Sequence, residues 1–186
     1  EISCSLVGSE MCIRDSLNLG ADSETALKET EKIMDALDIT ELKDRPTHIL
    51  SGGQKKQVAI ADILVMHPDI VILDEPAAAL DPKHTALVNG TIDQMTEAGL
   101  TVLLSTHDPD YAFSWADQII LFHQGRVLKS GSPIEVFSDQ AALTLTNLSR
   151  PAVLSMYGSL CRKKIINTGI PIPKNLMELE QIIEGI

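Results

Sequence analysis

The sequence predicts an α/β fold, a parallel sheet packed between helices. Short aliphatic runs at 70–74, 101–105 and 118–122 alternate with helical stretches, the arrangement of a parallel sheet covered on both faces. The run Ile70-Val71-Ile72-Leu73 ends in Asp74-Glu75, the pattern of a buried strand that delivers acids to its C-terminal end. Hydrophobic residues make up 44% of the 186 positions and aromatics 3%, so the chain can bury one core, and that core is aliphatic.

Each element follows from period and punctuation. Residues 23 to 37 read as an amphipathic helix with Asp22 or Ser23 as N-cap and Ala26, Ile33, Met34 and Leu37 on one face. Asp44-Arg45-Pro46 ends that unit. Ser51-Gly52-Gly53 then stands at the start of a helix running from Lys55 to Met66, His67-Pro68 stops it, and a strand begins at Asp69. Pro82 suits the first turn of a helix that ends near Gly99. Gln124-Gly125 reads as a hairpin turn joining Ile119-Ile120-Leu121-Phe122 to Arg126-Val127-Leu128. Beyond Gly131 the chain becomes helical, with Pro151, Pro171 and Pro173 punctuating helices over roughly 152 to 163 and 176 to 183. No internal repeat or low-complexity tract occurs.

Charge and composition narrow the function. A net charge of −11 argues against a nucleic-acid surface and permits docking to basic cytoplasmic loops of a membrane partner. No apolar run approaches the ~18 residues of a membrane span, and nothing reads as a secretory signal. Cys4 and Cys12 lie in an N-terminal stretch without periodicity, which leaves Cys161 with no native partner, as a reducing cytosol would have it.

The chemistry concentrates at two places. At the helix start, free backbone N–H groups and the positive end of the dipole attract phosphate, and glycines let it approach the backbone closely. An isolated Ser-Gly-Gly would more often be a plain cap, and an isolated Asp-Glu pair would cap the following turn. The spacing from Gln54 to Asp74 accommodates a helix, a proline stop and a strand, so the two are read as one unit.

These residues resemble a known family. Leu50-Ser51-Gly52-Gly53-Gln54 resembles the ABC signature motif, Ile70 to Glu75 resembles Walker B, Ala79-Leu80-Asp81 the D-loop, and Ser105-Thr106-His107-Asp108 the switch-histidine segment. The four stand in family order. Leu17-Asn18-Leu19-Gly20, the block from Leu50 to Met66 and Ile170-Pro171-Ile172-Pro173-Lys174-Asn175-Leu176 further resemble the ATPases of energy-coupling factor transporters, especially the cobalt-type subunit. The implied fold is the C-terminal part of an ABC-type P-loop ATPase. No G-x-x-x-x-G-K-[ST] occurs in the 186 residues, and the family's adenine-stacking aromatic and glutamine loop are not found either. The chain by itself is therefore expected to be inactive.

The resemblance implies ATP and Mg2+ as cofactors. Asp74 would hold magnesium through water, Glu75 would polarise the attacking water, and His107 would contact the γ-phosphate. Ser51, Gly52, Gly53 and Gln54 would close over ATP held by a second ATPase subunit paired head to tail, and Asp81 would communicate between the two nucleotide sites. A membrane-embedded coupling subunit and a substrate-binding membrane subunit are the further implied partners, at the cytoplasmic face of the cell membrane. No nucleic acid is implied, and no protein metal site beyond the nucleotide magnesium at Asp74. His48, His67, His84 and His123 have no comparable context. Ala77 and Ala79 depart from the family's threonine and glycine or serine, and Gln57 from its usual arginine.

Residues 6 to 16 resemble a translated sequencing adapter, so 1–16 are expected to be non-native. The expected division is then 17–66 for a partial helical signature subdomain, 67–135 for half of a RecA-like core and 136–186 for a helical extension. Two functional classes remain open. One is an importer ATPase, of the energy-coupling factor class taking up cobalt, another transition metal or a vitamin, or of another ABC importer; the other is a soluble ABC protein of DNA maintenance or translation. A long coiled coil, a second cassette or a basic surface would favour the latter, and none is visible.

Overall fold

The computed structural model describes residues 8–18, 20–167 and 169–185. Cys4, with the rest of the segment before Gly8, and Leu19 of the Leu17-to-Gly20 motif lie outside the described residues. The chain divides into two compact units, Glu1–Ser105 and Thr106–Ile186.

The first unit opens with a helix that the sequence did not announce. Gly8–Asn18 (α1) packs against Ser23–Ala36 (α2) and Gly52–Leu64 (α3), which corrects the reading of this stretch as aperiodic. Among the described residues its buried positions are Ser9, Cys12 and Ser16, spaced three and four residues apart. That is helical spacing carried by small residues, so no hydrophobic period shows. Ser9 also donates from Oγ to the Lys43 carbonyl at 2.9 Å.

Helix α2 starts at the Asp22 cap, whose Oδ1 accepts from the Glu24 and Thr25 amides at 3.0 Å each. Ala26, Thr30 and Met34 are its buried stripe, and Leu37 is buried just beyond it. Short 3-10 turns at Thr40–Leu42 and Thr47–Ile49 carry the chain to α3. Helix α3 begins three residues earlier and ends two earlier than the sequence suggests, and His67 then takes a positive φ of 49°.

Strands Ile70–Asp74 (β1) and Thr101–Ser105 (β2) pair in parallel, with Asp74 beside Ser105, and helix Pro82–Glu97 (α4) makes the crossover. Val71 and Leu73 are buried, while Ile70 and Ile72 on the other face are 58% and 73% exposed. Among the described residues the sheet is therefore covered on one face, not two. Val88, Thr91, Ile92 and Met95 form the buried side of α4.

The second unit holds Pro109–Trp115 (α5), Ile119–His123 (β3), Arg126–Gly131 (β4), Pro133–Phe137 (α6), Gln140–Thr146 (α7), Ala152–Arg162 (α8) and Leu176–Glu184 (α9). The third aliphatic run was expected in the parallel sheet. Among the described residues its partner is β4, antiparallel, through the Gln124-Gly125 hairpin that the sequence also predicts: both residues take positive φ, 48° and 73°, and reverse the chain in two residues. The core of this unit is not purely aliphatic: Phe113, Phe137 and Tyr157 join Leu143, Val153, Leu154, Ile166 and Leu179. Phe113 and Phe137 meet edge to face at 6.1 Å. Tyr157 donates its hydroxyl to the Ile170 carbonyl at 2.6 Å, which anchors the proline-rich segment. Asp110 accepts from the Ala152 amide at 2.6 Å, tying the start of α5 to α8.

Candidate functional site

The first unit gathers most of the sequence-predicted residues. Ser51 is the N-cap of α3 in a reciprocal capping box: its Oγ accepts from the Gln54 amide at 3.2 Å, and Gln54 Oε1 accepts from the Ser51 amide at 3.0 Å. Both side chains thus hold the turn rigid. Ser51 and Gly52 are exposed, and Gly53 is buried.

The two glycines are there for different reasons. A Cβ on Gly53 would stand 2.4 Å from His84 Cδ2, so packing alone demands glycine. A Cβ on Gly52 would meet only Leu80 Cδ2, at an ordinary 3.9 Å. Fold packing among the described residues leaves room for a larger residue at Gly52, and with glycine there the helix N-terminus is open.

Beside this helix start lies the acidic strand end. Ser105 Oγ makes a short hydrogen bond to Asp74 Oδ1 and accepts from the Glu75 amide at 3.2 Å. One hydroxyl on the neighbouring strand therefore holds the Asp74 carboxylate and the Glu75 backbone amide, from which the Ser105 carbonyl also accepts at 3.2 Å, a role with no sign in the sequence. Glu75 itself sits in the left-handed region at φ 46°, as does Ala79 at 60°, where the family resemblance leads one to expect glycine or serine. Lys56, from the second turn of α3, reaches across to this segment and donates to the carbonyls of Ala78 at 2.9 Å and Glu75 at 3.3 Å. Sequence spacing carries no sign of that contact, since 19 and 22 positions separate the partners.

Asp81 is the N-cap of α4. Its Oδ1 accepts from the Lys83 and His84 amides at 3.0 and 3.1 Å, and its Oδ2 lies 2.5 Å from His84 Nδ1. The His84 backbone bond, followed by the ring contact, holds this carboxyl below the usual aspartate range. His84 had no context in the sequence, yet it is the residue that joins Asp81 to Gly53.

His107 belongs to the second unit, exposed, just before the Asp108 cap of α5. Thr106 Oγ1 accepts from the Asp108 amide at 3.0 Å and shapes that turn. Among the described residues no group of three or more His, Cys, Asp and Glu could hold a metal ion, and no helix is long and apolar enough to cross a membrane.

Comparison with known proteins places this arrangement. A model of the ABC transporter family matches residues 3–78, and so takes in most of the N-terminal stretch that the sequence reading set aside. The energy-coupling factor transporter ATP-binding protein EcfA2 of Methanospirillum hungatei is 36% identical over 168 residues, 90% of this chain and 42% of that protein. The cobalt import ATP-binding protein CbiO of Rhodobacter capsulatus is 40% identical over 158 residues, 85% of this chain and 56% of its own length. The chain thus spans about half the length of these curated relatives. Among solved structures, cbiO1 of Clostridium perfringens, described as part of the ABC transporter complex cbiONQ, superposes with a TM-score of 0.66 at 34% identity. That match covers 85% of this chain and 62% of cbiO1.

Proposed function

From a chain that belongs to the ABC transporter ATP-binding proteins, most like those of the energy-coupling factor type, we propose part of an importer's ATPase whose full-length subunit hydrolyses ATP to drive uptake. The cargo class that best suits its similarity to the cobalt import subunit of Rhodobacter capsulatus is a transition metal, with vitamins the other candidates. Residues 17–66 act as the signature subdomain, 67–135 as half of the nucleotide-binding core and 136–186 as a helical extension.

The observation that carries this reading is Gly52, exposed at the capped start of α3 with no packing reason to be glycine. The Gly52 and Gly53 amides suit a phosphate bound on the partner subunit, where helix N-termini favour anions. Asp74, oriented by Ser105, suits a magnesium ion held through water, and bound magnesium neutralises charge on the transferring phosphate. Glu75 accepts the proton of an attacking water, His107 donates toward the γ-phosphate, and Asp81 relays between the two sites. The subunit pairs head to tail with a second ATPase and docks on a membrane-embedded coupling subunit at the cytoplasmic face. The 186 residues contain no P-loop sequence, so by themselves they do not turn over ATP.

The test is Glu75→Gln in a full-length subunit carrying these residues and a P-loop. Hydrolysis should fall by about 10² or more, the scale of a lost general base, while ATP-bound dimers persist. Nucleotide binding that vanishes together with hydrolysis would make Glu75 a structural residue and defeat the assignment.

A further inference from the structure

Lys56 is half-buried, and its ammonium is committed to backbone rather than to a carboxylate within its own helix. An ammonium has three donors and no acceptor, and its bonds to carbonyls are stronger than neutral ones. The Glu75 carbonyl receives two bonds, from Lys56 Nζ and from the Ala78 amide at 3.1 Å, which closes a turn over 75–78. On the other side of the same residue, the Glu75 amide is held by Ser105. Non-glycine residues with positive φ persist where their surroundings over-determine them, and here Glu75 and Ala79 bracket the carbonyls that Lys56 holds.

We propose that Lys56 is a positioning residue for Glu75, fixing the carbonyl side of its strained peptide from α3 so that the carboxylate keeps a single direction. The inference rests on the assignment of Glu75 to the attacking water. Lys56 itself touches no reacting atom. Because Ser51 and Gly52 begin the same helix, Lys56 also makes the signature turn and the Glu75 turn one mechanical body.

The experiment compares Lys56→Met and Lys56→Arg, each with Glu75 and with Glu75→Gln, in the full-length subunit within its transporter. Lys56→Met should lower kcat by up to about 10²-fold, the scale of a misplaced catalytic group, with ATP affinity unchanged. Lys56→Arg should recover most of the loss, and Lys56→Met should add nothing in the Glu75→Gln background. If Lys56→Met proves insoluble, Lys56→Gln stands in for it under the same criteria. Wild-type kcat in Lys56→Met, an equal further loss in the Glu75→Gln background, or ATP affinity that falls in step with kcat would each overturn the proposal. Retained turnover in Glu75→Gln alone would instead remove the Glu75 assignment, and the positioning role with it.

Discussion

The imidazole of His84 occupies the space that a side chain on Gly53 would need, with Cδ2 2.4 Å from the site of that Cβ. The contact joins two helix starts, since His84 is also bonded to Asp81, the cap of α4, while Gly53 lies in the first turn of α3. Gly53→Ala should therefore destabilise the chain by overpacking, on the order of 1–3 kcal/mol. His84→Gly should relieve most of that cost, since His84 Cβ as well as the ring would crowd the added methyl, at 2.7 Å. A double-mutant cycle of denaturant unfolding measures the coupling, and strictly additive losses would show that His84 is not the cause.

Ser105 is expected to matter out of proportion to its size. Its hydroxyl serves Asp74 and the Glu75 amide together, so Ser105→Ala should lower hydrolysis by the full-length subunit more than it lowers ATP affinity. Ser105→Thr keeps the hydroxyl and should retain most of the activity. Steady-state kcat and a nucleotide-binding titration on the same preparations check this, with about 1 kcal/mol of stability the expected scale for the lost bonds.

Acid should unfold the second unit in part through Asp139. The Lys129 ammonium, then the Ala142 amide, hold this carboxyl below its ordinary range. A depressed native pKa means stability that is present above the unfolded value, ~3.9, and lost as pH falls through the native one. Asp139→Asn should thus reduce Tm at neutral pH and flatten its fall below about pH 4. Parallel pH–Tm curves for the two proteins would contradict the assignment.

Cys12 reports on α1. Burial, with the Asp62 charge next, pushes its thiol up to about 12, so little thiolate exists at neutral pH. Site-resolved alkylation should modify the half-buried Cys161 well before Cys12, and Cys12 should react only as the protein is denatured. Equal rates at pH 7.5 without denaturant would mean that α1 is not packed against α2 and α3.

What the sequence made legible follows what short-range chemistry can encode. Asp22, Ser51 and Pro82 mark helix starts because caps act within three residues, and Gln124-Gly125 marks its hairpin for the same reason. Helix α1 is not legible in the sequence because its buried residues among those described, Ser9, Cys12 and Ser16, are small or polar and show no hydrophobic period. The hairpin partner of β3 was legible in Gln124-Gly125, whereas an aliphatic run by itself carries no sign of which strand lies along its other edge. At the candidate site, the motif residues could be read from their order, whereas Lys56, His84 and Ser105 act through tertiary contacts between segments 19 to 31 positions apart.

The most direct measurement of the central claim, that the start of α3 closes over a partner's phosphate, is Gly52→Asp in one subunit of a mixed dimer. An acidic residue in the first turn suits the helix dipole, by roughly 0.3–1 kcal/mol, and the fold has room for a side chain there. The isolated subunit should therefore melt at or above the wild-type temperature. The same carboxylate would repel phosphate, so ATP-driven closure should be lost at the site opposite the substituted subunit and retained at the other. Unchanged closure at both sites would contradict the account and leave Ser51-Gly52-Gly53 as a helix cap.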